Sequence, residues 1–332
     1  MPIASTDQYE SSDLGGEIVT LYSVNGLHGG NTNWLGVLLP DFTDKTGINV
    51  RYVEDHSRNI VDLLNREKGH ARADVVITLP PFIHMAAQGG LLEYYKPVAA
   101  DHLAPIDDKF MYNVLIKNYP NIIYNKSMLK PPVAYTDLLA SNFVHKVQYS
   151  KPGWSGAGTA LLLQVFHAFG GKKGGLEFLR KLQANCLYPC DHTSGLEVMV
   201  NNGELLVANG DVQTNVAQCV DNPNIQILFP AAPDGKKYVF EFSYYVSLAK
   251  GAPNDANGRA LIEYLLGKEA QKKVSLIAQG LPAHNDIVPN DEKFARLTAM
   301  LEDVELWKPD WNRIASVLDE DVAAYDKAVL HA

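Results

Sequence analysis

Short apolar runs of β-type residues alternate with longer amphipathic segments along the first third of the chain. The pairs are EIVTLYSVNG with NWLGVLLPDFTDKTG, INVRYVED with SRNIVDLLNREKG, and ADVVITLP with PFIHMAAQGGLL. Strands that alternate with helices at this spacing are typical of βαβ units, and they predict a mainly parallel sheet. Because glycine commonly ends helices, we expect the three helices to end at Gly47, Gly69 and Gly89.

This rhythm changes after Leu115, where an extended run from Asn121 to Tyr124 is followed by a Pro-Pro turn. A second extended run, from Val239 to Ala249, returns the chain to the first group of elements. Two such crossings predict an α/β fold of two lobes, with a hinge of two crossover strands and a ligand cleft at the carboxyl ends of both sheets. The expected boundaries are a flexible N-terminus at 1–16, lobe 1 at 17–117 plus 240–290, lobe 2 at 118–239, and C-terminal helices at 291–332 that pack on the lobes.

Charge and composition exclude several classes of protein. The 332 residues carry a net charge of −9 with a pI near 5.6, and the basic residues are not clustered, which argues against a nucleic-acid surface. No run approaches the roughly 20 apolar residues of a membrane span. Residues 1–16 are polar and contain no hydrophobic signal region.

The cysteines leave two alternatives open. Cys186 and Cys190 are spaced C-x3-C, which matches neither the redox C-x-x-C motif nor a four-ligand zinc set, and Cys219 stands apart. A local disulfide between Cys186 and Cys190 in an oxidising compartment and a set of reduced cysteines are both compatible with this spacing.

The residues that follow the predicted strands are rich in hydroxyls, small side chains and helix-starting amides, and poor in cations. An anion can be bound there without lysine or arginine, because unpaired helix-start N–H groups and the helix dipole supply positive potential. The same residue types are also ordinary N-caps and turn residues. The predicted ligand-binding residues are Ser23, Asn25, Gly26, Ser57, Thr78, Trp154, Ser155, Gly156, Ala157, Gly158, Thr159, His192, Thr193, Ser194, Asp211 and Tyr244.

The loop GWSGAGTA within this set is similar to three known motifs. It lacks the lysine of a nucleotide P-loop, and the dinucleotide pattern G-x-G-x-x-G fails at Leu161. A serine-hydrolase elbow, G-x-S-x-G, is nearly present around Ser155, but Ala157 replaces its last glycine. A serine hydrolase that uses Ser155 therefore remains an alternative of another class, whereas the favoured interpretation is an anion-binding helix start.

Other side chains suggest further contacts. The histidines show no metal-ligand spacing, and His192 is kept because it precedes a predicted helix start. Tyr244 and Tyr245 raise the question of ferric iron, but neighbours in a strand point to opposite faces, so at most one can face a site. A ligand ammonium would be expected at Glu54, Asp211 or Glu241, and the aromatic rings of Trp34, Trp154 and Tyr244 are candidates for an apolar wall.

Many ordered segments resemble one family. VTLYSVNGLHGGNTNW, FTDKTGINVRYVE, ADVVITLPPFIHMAAQGGLL, IIYNKSMLKPP, LLQVFHAFGG, GELLVANGD and AKGAPN are similar to bacterial extracellular solute-binding proteins of ABC transporters, over about residues 17 to 315. Within them, TLPPFI and VNGLHGG most resemble the 2-aminoethylphosphonate-binding subgroup. The sequence departs from that subgroup at the Asp-His pair of YPCDHTSG, at Glu241 and at Trp154.

This resemblance implies a type II periplasmic-binding-protein fold that closes over a small ligand and delivers it to ABC transporter permease subunits. The implied ligand is 2-aminoethylphosphonate or a related phosphonate or phosphate ester. Hexose-phosphate and ferric-ion binders of the same fold are the alternatives. We accordingly expect a periplasmic or extracytoplasmic protein, monomeric, with no catalytic activity, no cofactor and no nucleic-acid partner.

Overall fold

The computed structural model describes residues 17–103 and 109–331 of the chain. The predicted flexible N-terminus, 1–16, lies outside the described residues. Among the described residues, no helix combines the length and the apolar character that a bilayer crossing requires.

The strands form two main sheets and one two-stranded pair. In chain order they are β1 (Ile18–Val24), β2 (Asn49–Asp55), β3 (Val75–Thr78), β4 (Leu92–Glu93), β5 (Asn113–Lys117), β6 (Pro120–Asn125), β7 (Val147–Gln148), β8 (Val207–Asp211), β9 (Ile225–Leu228), β10 (Tyr238–Val239), β11 (Tyr244–Ala249), β12 (Leu281–Pro282) and β13 (Glu305–Leu306).

The α-helices lie between these strands and after them. They are α1 (Trp34–Thr46), α2 (Ser57–Arg66), α3 (Phe82–Gln88), α4 (Gly156–Ala168), α5 (Lys172–Leu182), α6 (Leu196–Asn202), α7 (Val212–Gln218), α8 (Asp255–Leu266), α9 (Lys268–Gln271), α10 (Glu292–Ala299) and α11 (Trp311–Tyr325).

The first sheet has seven strands in the order β12-β5-β11-β3-β1-β2, with β4 paired to β11. β1 is parallel to both β2 and β3, which confirms the βαβ units predicted from the alternating pattern. β11 enters between β3 and β5 and is antiparallel to both. The carboxyl end of β2, which precedes α2, therefore lies where an α/β sheet binds its ligand.

The second sheet has four strands in the order β7-β8-β6-β9. β6 is antiparallel to β8 and β9, and only the short β7 is parallel to β8. A separate core fills the space between this sheet and α4 and α5, including Val165, Phe178 and Val207. The two sheets thus have distinct cores.

Two chain segments join the sheets. The first passes through Asn118 and Tyr119, directly between β5 and β6, and the second covers 240–243, between β10 and β11. The backbone N–H of Phe242 donates to the carbonyl of Asn118 at 2.7 Å, so the two crossings are hydrogen-bonded to each other. The second run, predicted as continuous from Val239 to Ala249, is interrupted at 240–243, where the chain leaves one sheet for the other.

The predicted helix ends are only partly right. Gly47 follows α1 directly with φ 74°, a left-handed conformation that glycine adopts without steric cost, and it confirms the prediction. Gly89 directly follows α3, but with φ −72°. α2 ends earlier than predicted, at Arg66, because the turn formed by Lys68 N–H to Asn65 O and His70 N–H to Glu67 O replaces the last helical turn.

The C-terminal helix α11 contacts both cores. Leu318 belongs to the core of the first sheet, whereas Tyr325 and, just after the helix, Val329 belong to the core of the second. Ion pairs reinforce the same arrangement, since Asp319 pairs with Arg58 of α2 at 2.7 Å and Asp321 with Lys172 of α5 at 2.7 Å. α11 is therefore a third connection between the two sheets.

Candidate ligand-binding site

A cavity of about 260 Å³ lies between the helix starts of the two sheets. Elements of the first sheet contribute Val24, Asn25, Gly26, Glu54, His56, Ser57, Leu79 and Tyr244. Elements of the second sheet contribute Ser155, Gly156, Ala157, His192, Thr193, Ser194, Asp211, Thr214 and Gln218. A small ligand in this cavity would contact both sheets at once.

Most of the predicted residues meet in this cavity. Those that line it are Asn25, Gly26, Ser57, Ser155, Gly156, Ala157, His192, Thr193, Ser194, Asp211 and Tyr244. The structure places the other predicted residues outside the lining: Ser23, Thr78, Trp154, Gly158 and Thr159.

The predicted residues outside the lining form hydrogen bonds within the protein or are buried away from the cavity. The Ser23 hydroxyl donates to the Val24 carbonyl at 2.9 Å, and Thr78 is fully buried. The Thr159 hydroxyl accepts from Gly153 N–H at 2.9 Å and donates to the Ser155 carbonyl at 2.7 Å, so its hydrogen bonds stabilise the loop rather than a ligand.

Gly158 and Trp154 also have packing roles outside the cavity lining. A Cβ built on Gly158 would lie 2.1 Å from the Ser150 carbonyl oxygen, so this glycine permits close backbone packing. The Trp154 ring packs 5.9 Å from the His56 ring, and its indole N–H is buried without a partner among the described residues. The expectation that Trp154 forms the wall of the cavity is therefore not met.

Two helix N-termini converge on the cavity. Ser57 begins α2 of the first sheet and Gly156 begins α4 of the second. A Cβ built on Gly156 would lie 3.2 Å from Ser57 Oγ, which shows how closely the two starts approach. Both helices direct their unpaired N–H groups and positive dipole ends to this region, so the site favours an anion.

The Ser57 hydroxyl has no hydrogen-bond partner among the described residues, although Ser57 is only 1% exposed. Leaving a buried hydroxyl without a partner costs about 1–3 kcal/mol, so such a group in a cavity wall indicates a ligand atom. The neighbouring Ser155 differs, since its hydroxyl caps α4 by accepting from Gly158 N–H at 3.3 Å and contacts Ser150 Oγ at 3.0 Å.

The lining also holds two carboxylates. Asp211 caps α7 and accepts from Thr214 N–H at 3.0 Å and from the Asn118 amide at 2.9 Å. Burial raises the pKa of Asp211, and these hydrogen bonds offset only part of that rise. Glu54 accepts from the Tyr52 hydroxyl at 2.7 Å. Neither carboxylate forms an ion pair within the part of the chain that the structure describes.

Tyr244 lies beside these carboxylates. Its hydroxyl donates to the Gln213 side-chain oxygen at 3.0 Å, and the Gln213 amide donates to the Gly26 carbonyl at 2.8 Å. Burial first, and then the negative charges of Asp211 and Glu54, raise the pKa of Tyr244 well above its usual value. The phenol therefore stays protonated near neutral pH.

Tyr245, the neighbour of Tyr244, faces away from the cavity. Its ring packs edge-on against Tyr112 and His84 in the first core. The prediction that at most one of the two tyrosines can face a site is confirmed.

Several lining residues were not predicted. His56 precedes α2, and its ring stacks with that of His192 at 5.9 Å across the cavity. Thr214 and Gln218 follow Asp211 by three and seven positions, which is the spacing of one helix face, so a helix beginning at Asp211 could have indicated both.

A possible metal-ligand group lies elsewhere. His102, His284 and Asp286 have ligand atoms within 4.8 Å of one another. Asp286 already pairs with His102 at 2.7 Å and with the Lys268 ammonium at 3.6 Å, which accounts for its charge. None of these residues lines the cavity.

The cysteines are free thiols. Cys186 and Cys190 lie on one extended segment, which forms bridges to Val147 and Ser150 respectively. An extended chain separates residues four apart by far more than the roughly 7 Å between Cα atoms that a disulfide tolerates. Of the two alternatives left open by the sequence, the structure contains the reduced one.

Comparison with known sequences identifies the family. The family described as bacterial extracellular solute-binding protein matches residues 38–302. A "putative 2-aminoethylphosphonate-binding periplasmic protein" of Salmonella paratyphi A is 43% identical over 311 residues, covering 93% of this chain and 92% of the relative. The protein of the same name from Salmonella typhimurium is also 43% identical, with the same coverage.

Comparison with solved structures identifies the fold. The periplasmic binding protein AfuA from Actinobacillus pleuropneumoniae, with exogenous fructose-6-phosphate bound, superposes with a TM-score of 0.81 at 16% identity, covering 95% of this chain and 99% of that one. Apo ferric ion-binding protein A of Pasteurella haemolytica gives a TM-score of 0.75 at 20% identity, covering 94% and 98%. The chain has the type II periplasmic-binding-protein fold and belongs to the bacterial extracellular solute-binding proteins.

Proposed function

We propose that this protein captures 2-aminoethylphosphonate, or a related phosphonate or phosphate ester, for an ABC importer. The observation that carries the proposal is the Ser57 hydroxyl at the start of α2, which has no partner in the described part of the chain and lies directly opposite the start of α4. The 43% identical relatives, named for 2-aminoethylphosphonate, support the choice of a phosphonate.

In the proposed complex, the phosphonate oxygens accept hydrogen bonds from the first N–H groups of α2 and α4 and from Ser57. Each bond is charge-assisted and is shielded from water between the two sheets, which strengthens it. A ligand that contacts both lobes, 17–117 plus 240–290 and 118–239, stabilises their closed arrangement, and the crossings at 118–119 and 240–243 absorb the rotation.

Two features disfavour the other candidate functions. The hydrogen-bond partners of Ser155 Oγ are Ser150 Oγ and Gly158 N–H, and a serine nucleophile needs a base in that place. Ferric iron favours hard anionic oxygen ligands such as tyrosinates, and Tyr244 is the one tyrosine among the described residues that line the cavity. We therefore propose binding without catalysis and without iron.

Calorimetric titration tests the ligand. 2-Aminoethylphosphonate, inorganic phosphate, glucose 6-phosphate and ferric citrate are titrated separately, and we expect the phosphonate to bind with the highest affinity. Absence of heat with every phosphorus compound would overturn the proposal, and tighter binding of the hexose phosphate would move it to that ligand class.

Replacing Ser57 tests the site itself. Ser57→Ala is expected to weaken phosphonate binding by roughly ten- to a hundredfold, the usual loss for a hydrogen bond to a charged group. Ser247→Ala is the matched control, because Ser247 is also buried, its hydroxyl donates to the Met111 carbonyl, and neither residue lines the cavity. It should lower stability but leave affinity unchanged.

The partner and the assembly are part of the same proposal, and the family supports the choice of partner. We propose that the loaded protein docks as a monomer on ABC transporter permease subunits in the periplasm. Size-exclusion chromatography with light scattering measures whether the protein is a monomer. Ligand-dependent stimulation of the ATPase linked to the permease tests the partner. A stable dimer, or an ATPase rate indifferent to this protein, would contradict these two points.

A further inference from the structure

The cavity wall has an acidic side as well as an anion-binding one. Among the described lining residues there are two carboxylates, Asp211 and Glu54, and no lysine or arginine. A ligand with negative charge alone would bring its charge close to two carboxylates that have no cation beside them. Like charges in a closed, poorly hydrated site repel strongly.

We propose that Asp211, assisted by Glu54, binds a protonated amine of the ligand, so that the protein selects zwitterions carrying one phosphonate and one ammonium group. This inference rests on the proposed function, since it assigns the other end of the same ligand. It makes Asp211 the residue that recognises the amine end of the organic tail.

The burial of Asp211 is the first argument. Asp211 is only 8% exposed, and the donors that reach it are the Thr214 amide and the Asn118 side chain, both uncharged. Removing a carboxylate from water costs several kcal/mol unless a cation or equivalent hydrogen bonds compensate. A ligand ammonium in the cavity would supply the missing charge.

Helix capping alone does not require this burial. Asp310 caps α11 in the same way, accepting from Arg313 N–H at 3.0 Å, and it does so while exposed. Asp211 performs the same local task inside the cavity wall, at the cost of desolvation. The position therefore serves a purpose beyond the cap.

The two carboxylates come from different sheets and line the same cavity. Glu54 is the penultimate residue of β2 in the first sheet, whereas Asp211 ends β8 of the second. Both face Tyr244, whose ionisation they oppose. An ammonium between them would contact a carboxylate from each sheet. The helix starts of α2 and α4 and the Ser57 hydroxyl, which is unpaired within the described ranges, would bind the anionic end of the ligand in the same cavity.

The test compares two ligands of equal length. 2-Aminoethylphosphonate and propylphosphonate differ only in an ammonium replaced by a methyl group. The wild-type protein is expected to prefer the amine by roughly ten- to a hundredfold, as for other charge-assisted hydrogen bonds. Asp211→Asn should strongly reduce this preference by weakening 2-aminoethylphosphonate alone, because asparagine keeps the helix cap but not the charge, and only Glu54 remains to bind the amine.

Asp310→Asn is the matched control, since it removes the same charge from another helix cap outside the cavity. It should leave both affinities unchanged. Equal wild-type affinities for the two phosphonates, or an unchanged preference in Asp211→Asn, would overturn this inference and leave the proposed function standing. Failure of the wild-type protein to bind either phosphonate or inorganic phosphate would overturn both.

Discussion

At the scale of single residues, some buried polar groups serve the structure and not the ligand, and His84 is one of them. His84 is 3% exposed and lies among the rings of Tyr112, Tyr245 and Trp311, with Nδ1 unpaired among the described residues. It lies outside the cavity lining and docks α3 against α11. Burial lowers the pKa of His84 to about 3.

This shift predicts sensitivity to acid. Because the pKa falls from 6.5 in the unfolded chain to about 3 in the native protein, the unfolded chain binds a proton between these values that the native one does not. Stability should therefore fall by about 1.4 kcal/mol per pH unit on acidification across that window. His84→Phe keeps the ring packing and removes the proton, so its urea-unfolding free energy should change less between pH 6.5 and 4. An identical pH slope in both proteins would contradict this.

The pKa shift of Asp211 makes stability depend on pH in the opposite direction. Burial raises its native pKa above the usual 3.8, so the native protein holds the proton longer and stability falls as pH rises through that region. Without ligand, Asp211→Asn should therefore be more stable than wild type near pH 7 and equal to it near pH 3. Urea unfolding at both pH values checks the difference. A variant less stable at pH 7 would show that the carboxylate is already compensated in the empty protein.

At the scale of elements, the start of α4 shows how local sequence builds the site. Ser155 caps the helix, and the glycines that follow it allow the backbone to pack against Ser150 on one side and Ser57 on the other. The loop is thus an ordinary capped helix start placed opposite another one.

The Ser155 cap makes a measurable contribution to stability. Ser155→Ala should lower the free energy of unfolding by about 1 kcal/mol, since it removes the acceptor for Gly158 N–H. Ser155→Asn should restore most of that loss, because asparagine caps equally well. Chemical denaturation measures both variants. An alanine variant as stable as wild type would mean that the Gly158 amide finds another acceptor.

The elements also show what a sequence can reveal. The alternating pattern predicts β1, α1, β2, α2 and β3, because each has strong periodicity and its own turn residues. It does not predict which strand-end residues share a cavity. Thr78 ends β3 and Asn25 directly follows β1, both in the first sheet. Only Asn25 of the two lines the cavity, because that outcome depends on the packing of distant segments such as β11. His56 was missed for the same reason, since its partner His192 is far away in sequence.

At the scale of the whole molecule, Gly156 controls how closely the sheets approach. A Cβ added there would lie 2.9 Å from Leu79 Cδ1, 3.2 Å from Phe242 Cζ and 3.2 Å from Ser57 Oγ. These neighbours belong to the first sheet and to the second crossing. A methyl group would therefore separate the helix starts that bind the anion.

Gly156→Ala should accordingly disfavour the closed protein by about 1–3 kcal/mol, the usual cost of overpacking. We expect weaker phosphonate binding and, in small-angle scattering at saturating ligand, a larger radius of gyration than for wild type. Gly89→Ala, at an exposed helix end outside the cavity, is the control and should change neither quantity. Unchanged affinity in Gly156→Ala would show that the contact relaxes without opening the cleft.

Two residues at the C-terminal end of the described chain, Tyr325 of α11 and Val329 just after it, complete the second core and so affect the order of folding. Tyr325 and Val329 are 0% and 4% exposed in that core, and the Tyr325 hydroxyl lies 2.7 Å from that of Tyr149. A chain made from its N-terminus reaches residue 239, the end of the predicted second lobe, long before these side chains exist. The second core therefore remains incomplete until Tyr325 and Val329 have been made, so its folding is completed only after the strands of both sheets have been synthesised.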